Sequence, residues 1–238
     1  MENIKKIIDG KKYSEKFLKQ VYPLSTNFYK KFNRKPCLAV ILVGDNTASG
    51  IYVKNKVYTA EKNGIKSVKV ILSNKVSEAN LLNEILKLNE DQNIDGILVQ
   101  LPLPVHISEK KIIHSINPMK DVDGFHPINF GKLFMGDPNF VPCTPLGCYY
   151  MLKNELKELS GKNAVIIGRS NIVGKPMASL LLASNCSVTI THSKTKNLRE
   201  HCKKADILIS AVGIPEMVDE TYVKHNAIVI DVGINRLQ

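Results

Sequence analysis

No run of residues in this 238-residue chain approaches the ~20 consecutive apolar residues that a membrane-spanning helix needs. The opening MENIKKIIDGKKYSEK lacks the apolar core of a secretory signal, and it is not the Arg- and Ser-rich, acid-poor segment of a transit peptide. A cytoplasmic protein is expected. Cysteine is sparse: the five thiols at 37, 143, 148, 186 and 202 are odd in number and form no CxxC pair. Neither a disulfide framework nor a zinc site follows from such spacings, so reduced thiols are expected. Arginine is sparser still, four of 33 basic residues. The net charge of +11 is spread as +7 over residues 1–140 and +4 over 141–238, with no Arg-rich or aromatic-interleaved run. That pattern argues against nucleic acid as the partner. A diffuse basic field also attracts small anions such as a phosphorylated cofactor, and charge alone does not choose. HxxxH pairs and the GxSxG elbow are absent too. What remains, 44% hydrophobic and 23% charged, is the composition of a globular chain, not of a disordered or collagen-like one.

Apolar runs alternate with helical spacing. CLAVILVG (37–44), SVKVILS (67–73) and DGILVQL (95–101) read as strands. Between and after them, 49–63, 79–90 and 108–116 read as helices, the last with Ser108 as N-cap. Parallel βαβ units follow from that order. From about 117 to 145 the pattern breaks into Pro-, Gly- and Asp-rich loop. The second half repeats the alternation: helices over 145–159, 174–185 and 197–203, and strands over 163–168, 187–193, 206–212 and 227–233. The expectation is an α/β protein of two domains: a three-layer α/β domain over 1–140 and a Rossmann-type dinucleotide domain over 141–238.

VIIGRSNIVGKPMASLLL (165–182) is a strand ending at Gly168, a turn carrying Arg169 and Ser170, and a helix opened by Gly174. Glycine lets a backbone approach a pyrophosphate, and the helix N-terminus offers free N–H donors. The spacing is not GxGxxG, and many α/β turns contain glycine. The next strand ends in Thr191-His192-Ser193-Lys194, with no acid where a domain selective for NAD places one. Hydroxyl and basic groups there suit a 2′-phosphate, favouring NADP; Ser193 and Lys194 could equally begin a plain surface loop.

Ser49, Tyr52 and Lys56 recur at i, i+3 and i+7 of the helix over 49–63, so Tyr52 and Lys56 share a face. A desolvated lysine there could carry protons. By spacing alone, a solvated lysine on a lysine-rich helix is the more ordinary reading. Gln100 sits at the carboxyl end of a parallel strand, where α/β sheets bind ligands, and Pro102 and Pro104 fix the backbone after it. In KDVDGFHP (120–127), Asp121 and Asp123 could grip an aminopyrimidine edge or form a plain turn. No further oxygen ligands stand at metal-loop spacing, so no metal is expected.

Together these segments resemble the bifunctional methylenetetrahydrofolate dehydrogenase/cyclohydrolase family. The matching pieces are VGDNTASGIYVKNK (43–56), DGILVQLPLP (95–104), PMKDVDGFHPINFGKL (118–133), PCTPLG (142–147), IGRSNIVGKPMA (167–178), HSKT (192–195), ADILISAVG (205–213) and VIDVGIN (229–235). They run in family order from about residue 37 onward. The resemblance implies two activities: methylenetetrahydrofolate gives a hydride to NADP, and water then opens the methenyl product to 10-formyltetrahydrofolate. It implies Lys56 as the catalytic lysine and Gln100 as the residue that holds it. Tyr52 would position the folate, Asp123 would anchor the pterin's amino edge, and Val99 and Leu101 would flank the substrate. For the cofactor it implies Gly168, Arg169, Ser170 and Gly174 at the phosphates. Ser193 would meet the 2′-phosphate, Ile234 the nicotinamide through its backbone, and Thr144 would lie beside the cofactor. The family is typically a homodimer formed through the cofactor domain, and its folates are often polyglutamylated. Neither nucleic acid nor membrane is an implied partner.

Family members continue past the last strand with a Pro- and Gly-rich loop and a helix that returns to the first domain. This sequence stops at Gln238, just after VGINRLQ, which bears on folate affinity more than on the NADP site. A relative that binds NADP without turnover is the competing reading from the binding class. Retention of Tyr52, Lys56, Gln100 and Asp123 together argues against it. VQLPLP and KDVDGF argue against a shikimate-dehydrogenase-like reductase.

Overall fold

The computed structural model describes residues 7–234, so Asn235 of the last matching segment and the three residues after it lie outside the described residues. Two compact units divide between Ile128 and Asn129, inside the 117–145 stretch. In the first unit, α1 (Gly10–Phe32) precedes β1 (Cys37–Val43), α2 (Thr47–Lys62), β2 (Lys66–Leu72), α3 (Glu78–Glu90), β3 (Gly96–Val99) and α4 (Glu109–Ser115). The three strands are parallel in the order β2-β1-β3. A buried cluster that includes Ala39, Ile41, Leu81, Ile85, Ile97 and Ile112 fills one side of the sheet. A smaller one, with Val40, Leu42, Val53, Val57 and Leu98, seats α2 on the other. Each buried Val, Leu or Ile side chain among them contributes about 1.5–3 kcal/mol through water exclusion.

Helix α1 precedes the first element read from the sequence, although Phe17, Val21, Phe28 and Phe32 recur in it at helical spacing. Only Ser25 of it is buried, and Pro23 stands in its interior, where proline ordinarily breaks a helix. Its start is fixed by Asp9, whose carboxylate accepts from the N–H of Lys11 and Lys12, and its end by Asn33 in the left-handed region. Ser25 Oγ donates to Asn63 O at 2.6 Å, holding α1 against the turn after α2. Gly64 in that turn has φ +79°, and a Cβ on it would meet Ser25 Oγ at 2.6 Å.

The stretch read as loop over 117–145 contains a helix, α5 (Pro127–Phe134). Its proline occupies the first helical position, where no N–H is needed, and His126 Nδ1 accepts from the Ile128 N–H at 3.1 Å. Pro and Gly here start and populate a short helix, and composition alone reads that as coil.

In the second unit, α6 (Cys143–Glu155), β4 (Asn163–Ile167), α7 (Gly174–Ala183), β5 (Ser187–Thr191), α8 (Leu198–Lys203), β6 (Ile207–Ser210), a 3-10 turn (Glu220–Tyr222) and β7 (Ile228–Asp231) follow in order. The sheet is parallel, ordered β5-β4-β6-β7. Cys148, Leu152, Ile166, Met177, Leu181, Ile207 and Ile209 are among the buried residues of its core. None of the five cysteines is in a disulfide, and only Cys143 is exposed. No helix among the described residues is long and apolar enough to cross a membrane.

Candidate functional site

In the first unit, chain order reverses between β1 and β3, and α/β sheets bind ligands at the carboxyl ends of strands where this happens. Gln100 stands there, its N–H bonded to Ile41 O at 2.9 Å, so it extends β3 by one position along β1. Its Nε2 donates to Leu101 O at 2.7 Å, which turns Oε1 toward α2. Lys56 Nζ donates to that oxygen at 3.2 Å. The Lys56–Gln100 pair is therefore held from both ends, one on a helix face and one on the main chain. Asn46 accepts from the Ser49 N–H at 3.0 Å and sets the first turn of α2. One turn before Lys56, Tyr52 leaves 46% of its surface open, while Ser49 is buried. Of the flanking residues, Val99 points into the core and Leu101 is half-buried.

The two aspartates of KDVDG separate. Asp121 forms a parallel bridge with Ile97, is 2% exposed, and its Oδ2 accepts the His126 N–H at 2.8 Å. Its work is to shape the turn. Asp123 is half-buried, and desolvation pushes its carboxyl up to about 6. The Lys56 charge pulls in the opposite direction, which places the ammonium within electrostatic reach, while Asp121 adds a smaller upward push. A carboxylate, an ammonium and an exposed tyrosine thus share one side of the unit, with Gln100 holding the ammonium.

In the second unit the reversal lies between β4 and β6. Gly168 closes β4 with φ +118° and donates to Thr191 O at 2.9 Å; a Cβ on it would meet Ala211 O at 2.6 Å. Gly174 opens α7 so close to this turn that a Cβ would collide with Gly168 O. Ser170 Oγ accepts from the Val173 N–H at 3.1 Å and the Gly174 N–H at 3.4 Å, stitching the turn. The result is a backbone cradle at a helix N-terminus, a shape that fits a pyrophosphate.

Ile167 pairs with Thr191, so Arg169 and Ser193 stand two residues beyond paired positions on adjacent strands. Both are exposed. A turn closes from His192 O to the Thr195 N–H at 2.8 Å, and Thr195 Oγ1 accepts from the His192 N–H at 2.9 Å. Ser193 and Lys194 occupy its two central positions. Thr195 is a residue that motif reasoning passes over, although a Thr three residues past the strand end is a recognisable turn signal. So is the glycine pair after β6 and β7. A Cβ on Gly233 would meet Gly213 Cα at 2.9 Å, and Gly213 has φ +63°. These strand ends present bare backbone, with Ile234 exposed beside them. Thr144 is exposed in the first turn of α6. No cluster of His, Cys, Asp and Glu among the described residues is arranged to hold a metal.

Two family models match this chain. The catalytic-domain model described as tetrahydrofolate dehydrogenase/cyclohydrolase covers residues 8–123, and that family's NAD(P)-binding-domain model covers 142–238. The bifunctional protein FolD of Pelagibacter ubique is 53% identical over 232 residues, which is 98% of this chain and 83% of that protein. Among solved structures, the bifunctional FolD methylenetetrahydrofolate dehydrogenase/cyclohydrolase of Campylobacter jejuni superposes with a TM-score of 0.94 at 47% identity, covering 98% of this chain and 83% of that one. The Trypanosoma brucei enzyme, complexed with NADP cofactor and an inhibitor, gives a TM-score of 0.91 at 33% identity, covering 96% and 78%.

Proposed function

Because the chain belongs to the tetrahydrofolate dehydrogenase/cyclohydrolase family, we propose that it oxidises 5,10-methylenetetrahydrofolate with NADP and hydrolyses the resulting methenyl cation to 10-formyltetrahydrofolate. The observation that carries this reading is the Lys56–Gln100 pair with Asp123 beside it. NADP supplies the hydride acceptor when bound, and the glycine cradle at 168 and 174 with the bare strand ends at 213 and 233 fits it. Arg169 and Ser193 would hold the 2′-phosphate, with Ser170 at the phosphates, Ile234 presenting its backbone to the nicotinamide and Thr144 beside the cofactor.

Asp123 would accept the two N–H donors of the pterin's amino edge, and Tyr52 would lie against the folate rings, with Val99 and Leu101 flanking Gln100. In the hydrolysis, water adds to the methenyl carbon, the bond from that carbon to N5 breaks, and N5 takes a proton. Lys56, held as an ammonium by Gln100 Oε1, is placed to give a proton to N5 as that bond breaks, and the amine it becomes then takes one of the two protons that water loses, the other passing to solvent. A general acid–base group of this kind contributes about 10²–10⁴-fold. The net charge of +11 attracts a polyglutamylated folate as well as NADP.

A spectrophotometric assay tests the reading: methylenetetrahydrofolate with NADP, then methenyltetrahydrofolate alone. NADP reduction together with accelerated methenyl hydrolysis is expected; silence in both, with NADP still bound, would leave only a binding protein. The same assay probes Asp123. Only the ionised carboxylate accepts both pterin donors, and burial holds its pKa at about 6. The folate KM is expected to climb as pH falls through that value and to be flat across it in Asp123→Asn. A wild-type KM that is also flat would remove Asp123 from the pterin site.

We place the enzyme in the cytoplasm, in keeping with five cysteines that form no disulfide. A shallow apolar depression lined by Phe130, Phe134, Ala178, Leu182, Val188 and Ile190 supports self-association through the second unit. Leu182 is 55% exposed and Phe134 65%. Sedimentation equilibrium is expected to show two copies for the wild type and one for Leu182→Asp; a monomeric wild type would rule the surface out.

A further inference from the structure

Lys120 has no part in the chemistry above, yet its whole side chain is committed to main-chain carbonyls, three residues before Asp123 in the chain. Its Nζ donates to three main-chain carbonyls: Leu88 at 3.1 Å, Asn89 at 2.8 Å and Asp91 at 2.8 Å. An ammonium has three donors, so none is left over. The acceptors are at the C-terminal end of α3, where a helix leaves carbonyls unpaired and its dipole is negative. At the same residue, the main-chain oxygen accepts the Ile97 N–H at 2.7 Å, and the next residue, Asp121, makes the bridge to β3. Lys120 thus ties one point of the chain to both α3 and β3.

Further ties flank it. Asn89 Oδ1 accepts from the Asn117 N–H at 2.8 Å, and its Nδ2 donates to Ser115 O at 2.7 Å. Beyond it, the Asp121 carboxylate holds the His126 N–H. Asp123 lies between these anchors, three residues past Lys120. We propose that Lys120 is the positioning residue for folate recognition: by clamping the end of α3 it fixes where Asp123 presents its carboxylate to the pterin. This rests on the assignment of Asp123 to the pterin.

The experiment is a double-mutant cycle on the full chain, read as the KM for methylenetetrahydrofolate, kcat and the NADP Kd. A hydrogen bond to a charged group is worth about tenfold to a hundredfold in binding. Lys120→Met, which loosens such bonds at Asp123 without removing them, is expected to raise the folate KM on the order of tenfold, with kcat and NADP affinity preserved. In an Asp123→Ala background the same change is expected to add nothing, because the group it positions is gone. A single-variant KM equal to wild type overturns the proposal. So does an equal KM increment in both backgrounds, which would make Lys120 a general support of the fold. If Asp123→Ala by itself leaves the KM untouched, the pterin assignment fails first, and that outcome is separable from the other two. Should Lys120→Met not fold, Lys120→Gln removes the charge, keeps a donor, and is held to the same comparison.

Discussion

Lys56→Ala is expected to lower the hydrolysis by about 10²–10⁴-fold, the span a positioned acid–base group commands. NADP affinity should be unchanged, since the cofactor cradle is built from the second unit's backbone. The size of the loss follows from how the lysine is held. Its ammonium is not a free surface charge: Gln100 accepts from it at 3.2 Å, and Gln100 is itself anchored to Leu101 O and Ile41 O. Truncation removes the cation bonded to the Gln100 side chain, and it deprives Asp123 of the charge that opposes its burial. The Asp123 carboxyl is then expected to titrate higher in the variant, a secondary shift readable by NMR. An unchanged hydrolysis rate in Lys56→Ala would remove the residue from proton transfer altogether.

Ser193→Asp is expected to weaken NADP on the order of a hundredfold, since like charges brought together cost several kcal/mol and each 1.4 kcal/mol is tenfold. NAD, which has no 2′-phosphate, should change little. The difference is what locates the residue, because a general distortion of the turn would weaken both. The turn itself should survive the substitution: it is held by His192 O and Thr195 Oγ1, neither of which uses the Ser193 side chain. Equal losses for the two cofactors, measured by fluorescence titration, would show that Ser193 does not meet the 2′-phosphate.

Much of this was legible in the residues. The strands were, because parallel strands buried on both faces are continuous apolar runs, as in CLAVILV and NAVII. Gly168 and Gly174 were, because a glycine at each end of a strand-to-helix turn has a steric reason that sequence displays. Lys56 was not legible from spacing: a lysine on α2 looks like its neighbours Lys54 and Lys62 until Gln100, forty-four residues away in the chain, is seen to accept from it. The division of labour between Asp121 and Asp123 was hidden for the same cause. Two carboxylates two residues apart look alike, and the bridge to Ile97 buries Asp121 while Asp123 stays half-buried. Helix α1 shows its period in Phe17, Val21, Phe28 and Phe32, but Pro23 in its interior, where proline ordinarily breaks a helix, obscures it.

The contact of Gly174 with Gly168 sets what redesign of this protein can reach. Where main chain rests on main chain, no side chain exists to be exchanged, and any replacement at either glycine adds an atom with no room to occupy. That half of the cofactor seat is closed to gradual retuning. Arg169, Ser193 and Lys194, all at the surface, can be replaced without disturbing a packed neighbour. A laboratory lineage selected for a different dinucleotide should accumulate its changes there, at the ends of β4 and β5, and leave the glycines untouched.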